Sequence, residues 1–275
     1  MHPTQPSIAD KRRRFQQLHE AGCFALPNPW DVGSARYLQS LGFQALATTS
    51  SGFAWSQGRP DRPDTLAAAL DHLREMVAAT DLPINADFEN GYAHDAAGVA
   101  RNVSQAIATG VAGLSIEDAT ADPAQPLYPV ELAAERIRAA RRAIDQAGGD
   151  VILVGRAEGF LVGRPSIDEV VARLKAYADA GADCLYAPGL KSREDIAAVV
   201  KAVHPKPFNL LIGGSGLSLQ EARDLGVRRI SVGGSLARAA WGGFMRAAKE
   251  MAEKGTFTEL ASGYPGGELN KIFSQ

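Results

Sequence analysis

Eight short apolar runs alternate with amphipathic helical periods along 275 residues, an alternation that predicts an α/β fold, a (β/α)8 TIM barrel. Two further observations favour a closed barrel. Most of the short runs are apolar on both faces, as parallel strands covered by helices require. The segments "LGF", "TGVAGLSI", "AGADCLY" and "LGVRRISV" each place a helix-ending glycine directly before a strand, the αβ loop of such a barrel repeated.

The elements follow in order. Residues 1–21 contain an N-terminal helix, with Lys11 to Arg14 expected on its exposed face. The strands are expected at Cys23–Leu26, Ala45–Thr48, Pro83–Asp87, Gly113–Glu117, Val151–Arg156, Cys184–Ala187, Phe208–Ile212 and Arg229–Val232. Helical periods fill the gaps: "SARYLQSLGF", "TLAAALDHLREMVAAT", "AAGVARNVSQAIATG", "SIDEVVARLKAYADAGAD", "SREDIAAVVKAV" and "SLQEARDLGV". The stretch "PVELAAERIRAARRAIDQAG" has Pro129 near its first turn and Gly148 at its end, the usual helix punctuation. Residues 239–275 add a helical extension beyond the eighth strand. With no linker or low-complexity segment, residues 1–275 read as a single barrel domain.

Bulk properties narrow the function. A 45% hydrophobic content supplies a large core, and a net charge of -2 argues against nucleic acid or an anionic membrane as partner. Two cysteines without ligand spacing point to a reducing cytoplasmic setting. There is no signal-type run in "MHPTQPSIADKRRRF" and no apolar run of membrane-spanning length.

In barrels of this kind chemistry lies at the C-terminal strand ends. The third strand ends in Asp87 and Glu89, and the neighbouring fourth in Glu117 and Asp118. The fifth ends in Arg156 and Glu158. Acids crowded into a partly buried site need a cation, and oxygen donors without His or Cys favour Mg2+ or Mn2+. The plainer alternative is that they cap helices or pair with arginines. The small residues of "TTSSGFA" can turn backbone N–H groups toward a carboxylate, or form an ordinary βα turn. "GGSG" and "GGS", after strands seven and eight, leave a phosphate site open. His94, near the acids, reads as a surface residue, and Cys184 as core.

Five segments carry a resemblance: "NPWDVGSARYLQSLGFQALATTSSGFAWSQGRPD", "INADFENGY", "GLSIEDAT", "VGRAEGFLVGR" and "GADCLYAPGL". Together they resemble the isocitrate lyase and phosphoenolpyruvate mutase superfamily over nearly the whole chain, most of all its short bacterial members related to 2-methylisocitrate lyase. The resemblance implies a TIM barrel, commonly a homotetramer with its last helix exchanged between subunits. It implies Mg2+ (or Mn2+) and a small 2-oxo mono- or dicarboxylate. It assigns Asp87, Glu89 and Glu117 to the metal, with Asp61 as a further acid nearby. Ser50, Ser51, Gly52 and Phe53 match the turn that receives the substrate carboxylate. Arg156 matches the substrate-binding arginine, and Asn209 a polar contact from strand seven. Asp61 and Arg156 are the catalytic candidates.

The chain also departs from that pattern. The lyases carry a Cys-containing acid/base loop after strand four, where this chain has "ATADPAQPLYP" without Cys, His or Lys. Strand six leads to Ala187, Pro188 and Gly189, where the lyases have Glu and the mutases His. The leading expectation is therefore an Mg2+-dependent lyase that forms an enolate by C–C cleavage or decarboxylation. Decarboxylation needs only an electron sink and suits the missing Cys. The competing readings are a non-catalytic 2-oxo acid binder derived from the family, and a C–P hydrolase, mutase or phosphate-binding barrel.

Overall fold

The structure, a computed structural model, describes residues 5–61, 65–120, 122–214 and 216–274. All eight expected strands form within the runs named above: β1 Phe24–Leu26, β2 Leu46–Ala47, β3 Ile84–Asp87, β4 Gly113–Glu117, β5 Ile152–Arg156, β6 Cys184–Tyr186, β7 Phe208–Leu211 and β8 Arg229–Ser231. Helices alternate with them: α1 Ile8–Glu20, α2 Val32–Ser40, α3 Ser50–Ser56, α4 Leu66–Ala79, α5 Ala96–Ala108, α6 Val130–Gln146, α7 Ile167–Asp179, α8 Arg193–Val203 and α9 Leu219–Asp224. α10 Ser235–Lys254 and α11 Gly266–Phe273 follow β8.

Local chemistry sets these boundaries. Asp31, Thr65, Asp95, Ser166, Ser192 and Ser218 each accept a hydrogen bond from the third residue of the helix they open. Such caps contribute about 1 kcal/mol apiece. At the other ends Gly42, Gly110, Gly181 and Gly226 take φ between 83° and 103°, which a side chain would disfavour, and turn the chain into the next strand.

The strands are parallel, in the order β1-β8-β7-β6-β5-β4-β3-β2. The seam between β1 and β2 is closed by single bonds. The Ala47 N–H donates to the Pro27 carbonyl at 3.0 Å. Asn28 then ties three strand ends together: its amide donates to Thr48 O, and its oxygen accepts from the Val232 and Gly233 N–H groups, all at 2.9 Å. The result is a nearly closed (β/α)8 barrel. Its apolar shell lies between sheet and helices, where Met76, Val103, Ile144, Leu174 and Val199 are buried.

The N-terminal mouth is plugged by α1. Phe15 is fully buried against Leu26, Ala45, Ile152, Val154 and Cys184, so Cys184 is core as expected. A Cβ on Gly113 would lie 2.7 Å from the Phe15 ring, so the plug requires glycine there. The expectation for Lys11 to Arg14 is corrected in part. Arg13 and Arg14 are exposed, but Lys11 and Arg12 are buried. Lys11 Nζ donates to the carbonyls of Val77 and Thr80, and Arg12 to those of Val111 and Ile107 and to Asp150. Ile107 O also accepts from the Gly110 N–H, and the two long cationic side chains add donors where the last carbonyls of a helix run out of intrahelical partners.

α10 begins at Ser235, a turn earlier than the sequence suggested, and only Ala237 of it is buried. Trp241, Phe244, Met245 and Met251 stand exposed along it. An apolar cavity of about 420 Å³ remains outside β1 and β8, bordered by Pro27, Tyr37, Leu41, Ile230 and Val232.

Candidate active site

Strand register builds the site. Glu117 of β4 pairs with Arg156 of β5, which pairs with Tyr186 of β6, so these three share one level at the C-terminal rim. Asp87 of β3 pairs with Ser115. Arg156 stands at the centre. Its Nε donates to Glu158 at 2.5 Å, and one Nη lies 3.1 Å from Asp87 and 3.3 Å from Glu117. Its guanidinium also sits 5.1 Å above the Tyr186 ring. Burial opposes its charge, but Glu158, Glu117 and Asp87 outweigh that and raise its pKa well above the ordinary value.

Asp87 is held from a second side. Its other oxygen accepts from the Ser50 N–H at 3.0 Å and the Ser50 hydroxyl at 2.9 Å. "TTSSGFA" is therefore the first turn of a helix and not a plain loop. Thr49 caps that helix, and Gly52 allows it to pack, since a Cβ there would lie 2.9 Å from the Trp30 side chain. The Phe53 ring stacks on His72 at 4.0 Å, and the Phe53 N–H is spent within the helix on Thr49 O.

A cavity of about 200 Å³ opens at this mouth and reaches down between the strands. Ser50, Ser51, Asp61, Asp87, Arg156 and Asn209 border it, with Asp61 exposed at the rim. Gly52, Phe53, Glu89 and Glu117 lie outside its lining. Glu89 follows β3 at a positive φ of 45° and accepts from the Tyr92 hydroxyl at 3.0 Å. Asp87 and Glu117 thus converge on one guanidinium nitrogen, while Glu89 faces Tyr92. Among the described residues no three His, Cys, Asp or Glu side chains gather at metal-binding spacing. The donors that do converge, two carboxylates beside a serine hydroxyl, suit a hard divalent ion.

Asp118 and Glu158 have other work. Asp118 is buried and accepts from the Glu158 N–H, from Arg173 and from the Tyr177 hydroxyl. It locks the β4 and β5 ends to α7 and so fixes the backbone from which Glu158 reaches Arg156. The segment after β4 closes on itself through an antiparallel bridge between Ala119 and Leu127. His94 is exposed, 2.9 Å from the Tyr128 hydroxyl. Of "GGSG", Ser215 lies outside the described residues. Gly234 of "GGS" borders the cavity, but a Cβ there would come within 2.8 Å of Ser51 Oγ, so its smallness serves packing against α3.

Sequence reasoning missed the middle of the barrel. Asn85, Ser115, Arg229 and Ser231 face the cavity from inside the strands. Their signal was present as polar residues at alternate positions of otherwise apolar runs.

The comparisons agree with this architecture. The sequence model described as phosphoenolpyruvate phosphomutase matches residues 15–252. A crystal structure from Burkholderia cenocepacia J2315, provisionally described as a lyase/mutase, is 46% identical and covers 98% of each chain with a TM-score of 0.95. An oxaloacetate decarboxylase of Paraburkholderia xenovorans (strain LB400) is 30% identical over 80% of this chain and 74% of its own. The crystal structure of 2,3-dimethylmalate lyase, a PEP mutase/isocitrate lyase superfamily member, is 27% identical with a TM-score of 0.83, covering 98% of this chain and 95% of that one. With the barrel, its acidic rim and these matches in place, the chain belongs to the phosphoenolpyruvate phosphomutase family of the PEP mutase/isocitrate lyase superfamily.

Proposed function

We propose that this chain is a divalent-cation-dependent lyase that cleaves the C3–C4 bond of a small 2-oxo acid, one carbon removed from the oxo group, with decarboxylation as the preferred reaction. The observation that carries this reading is the rim, where Arg156 sits among Asp87, Glu117 and Glu158 beside the Ser50 turn. The similarity to an oxaloacetate decarboxylase and to 2,3-dimethylmalate lyase supports it. Asp87 and Glu117 would hold Mg2+ or Mn2+, with Glu89 reaching it through water, and the ion would supply positive charge for a developing oxyanion.

The chain's own groups do the rest. Arg156 is fixed by carboxylates on both edges, so it enters the reaction already oriented and loses little on reorganising. As the bond to the departing carboxylate breaks, its electron pair moves into C2–C3 and charge collects on the C2 oxygen. A guanidinium held at that point gains more from the enolate than from the ketone, which lowers the barrier. Ser51 would receive the C1 carboxylate, joined by Ser50 where its donors leave Asp87, with Gly52 and Phe53 supporting the turn from behind. Asp61 at the rim and Asn209 deeper in complete the polar contacts. The self-closed segment after β4 carries no thiol, so cleavage of isocitrate or 2-methylisocitrate should be slow or absent.

We also propose a homo-oligomer, a tetramer on the family pattern, with the segment from Trp241 to Phe273 crossing to a neighbour. The bare apolar face of α10 and the uncovered groove on β1 and β8 support this. Cys23 and Cys184 are buried free thiols, in keeping with a reducing cytoplasm.

The test is a panel of 2-oxo and 2-hydroxy acids with and without Mg2+, read by released CO2 or pyruvate. Cation-dependent turnover of a 2-oxo acid is the expected result. No turnover of any member, with binding retained, would favour a non-catalytic binder. Interconversion of a phosphonate and a phosphate ester would favour mutase chemistry.

A further inference from the structure

Loss of a carboxylate leaves C3 of the enolate one proton short, and a group of this chain must return it. The segment after β4 carries no thiol, imidazole or amine. Among the described residues, five that border the cavity carry a charge or an acidic proton: Asp61, Asp87, Arg156, Tyr186 and Arg229.

Four of them are poor donors. Asp87 accepts bonds on both oxygens, from Arg156 and from Ser50, and has no proton to give. Asp61 stands exposed at the rim, where its proton exchanges with solvent. Arg156 and Arg229 are guanidiniums, which do not give up protons in proteins.

Tyr186 remains, and the barrel fixes it. It closes β6, paired with Arg156 on one side and Asn209 on the other, so it stands at the level of the central guanidinium. Its ring centre lies 5.1 Å from the Arg156 guanidinium. Its hydroxyl end neighbours Ser231 of β8. Ser231 Oγ accepts from Asn209 Nδ2 at 2.9 Å, which leaves its own proton free for the Tyr186 oxygen. Asn209 is held in turn by Arg229, whose Nε donates to Asn209 Oδ1 at 2.8 Å, and an Nη of Arg229 is anchored on Asn85 Oδ1 at 3.2 Å. The middle of a TIM barrel is ordinarily filled by branched apolar side chains. Here it is polar, and it braces one phenol. Burial pushes that phenol up to about 12 while Arg156 draws it down, so it carries its proton at neutral pH.

We propose that Tyr186 is a catalytic residue, the general acid that protonates C3 of the enolate. This rests on the 2-oxo acid reading above. The Oη–H bond breaks as the C3–H bond forms. The enolate supplies the electron pair, the C2 carbonyl is restored, and the negative charge passes to the phenolate oxygen. Arg156 over the ring and the Ser231 hydroxyl stabilise that charge. A solvent proton restores the phenol as the product leaves. The carbon of an enolate is a stronger base than a phenolate, so the transfer runs downhill. A positioned general acid contributes about 10²–10⁴-fold.

The experiment compares the wild type with Tyr186→Phe, which removes the hydroxyl and keeps the ring. Proton NMR in D2O follows deuterium exchange into the methyl group of pyruvate with Mg2+, the reverse of the proposed step. A separate assay follows CO2 release from oxaloacetate. Binding of oxalate, a planar dianion of enolate shape, checks that the site is assembled. We expect Tyr186→Phe to bind oxalate within about threefold of the wild type and to lose about 100-fold or more in exchange. CO2 release should fall much less, because the variant can release the enol to ketonise in solution. Exchange at the wild-type rate, or equal losses in exchange and CO2 release, would overturn the proposal. If Tyr186→Phe does not fold or does not bind oxalate, Ser231→Ala carries the comparison. It should lose about fivefold in exchange, the scale of one neutral hydrogen bond, with CO2 release spared; no loss would overturn the proposal. A wild type that releases CO2 but exchanges pyruvate no faster than a protein-free Mg2+ control would overturn the role of Tyr186 alone. A wild type that does neither would overturn the 2-oxo acid reading and this role with it.

Discussion

Arg156→Lys tests how the rim is held together. The guanidinium uses Nε for Glu158 and an Nη for Asp87 and Glu117, so it joins acids from three strand ends through two different nitrogens. A lysine has one nitrogen and cannot occupy both places. If the ammonium stays with Asp87 and Glu117, Glu158, which is fully buried, loses the bond it receives from Nε. Removing one partner of a buried pair costs about 3–5 kcal/mol, and a charged hydrogen bond is worth about 1.5–3 kcal/mol. Some charge remains nearby, so we expect a loss of about 3 kcal/mol in urea unfolding. Glu158→Gln alone should cost about 1.5–3 kcal/mol. In the double variant the two costs should overlap, with a coupling of about 1.5 kcal/mol or more. Additivity within about 0.5 kcal/mol would refute the geometry, because independent sites add to that precision. The same Arg156→Lys change should weaken 2-oxo acid binding by about 1–3 kcal/mol.

Further predictions follow from single sites. Asp87→Ala should abolish Mg2+ binding by calorimetry while the far-ultraviolet circular dichroism stays unchanged; unaltered affinity would remove Asp87 from the metal assignment. His72 is buried, its Nε2 has no hydrogen-bond partner among the described residues, and burial holds it at about 4. The folded form keeps it neutral while the unfolded chain binds a proton below about 6.5, so its stabilising contribution is complete above that pH and is lost as pH falls toward 4. That contribution is roughly 3 kcal/mol, and His72→Leu should flatten the slope of stability across that window; an unchanged slope would contradict the assignment. Light scattering at micromolar concentration should give an oligomer, and removal of residues 241–275 should shift it toward monomer; a monodisperse monomer of the full chain would contradict the exchanged segment.

The barrel was readable because its signals are local. Glycines at Gly42, Gly110, Gly181 and Gly226 must adopt positive φ, and each announces the strand behind it. Caps such as Asp31 and Ser192 mark helix starts in the same way. Lys11 and Arg12 misled because their partners, the carbonyls of Val77, Thr80, Ile107 and Val111, are distant in sequence. A basic run looks solvated until the fold supplies buried acceptors.

The site was legible by residue type at strand ends and less so by partnership. Asp87 and Arg156 could be named from position, but Asp87's bond to Ser50 and Arg156's to Glu158 depend on how the strands are registered. Glu89 and Glu117 look equivalent as acids near a rim, yet a positive φ sends Glu89 to Tyr92 while β4 carries Glu117 to Arg156. Arg229 was the hardest to see, since an arginine opening a strand usually lies at a solvated edge. Only closure of the barrel turns it inward.

The most direct test of the central claim is the rate of oxaloacetate decarboxylation by chelator-treated protein with Mg2+ restored, against a protein-free Mg2+ control. The account predicts saturable, cation-dependent release of pyruvate and CO2 above that control, with kcat/KM falling at least tenfold in Arg156→Lys. A rate equal to the protein-free control across saturating oxaloacetate and Mg2+ would contradict it.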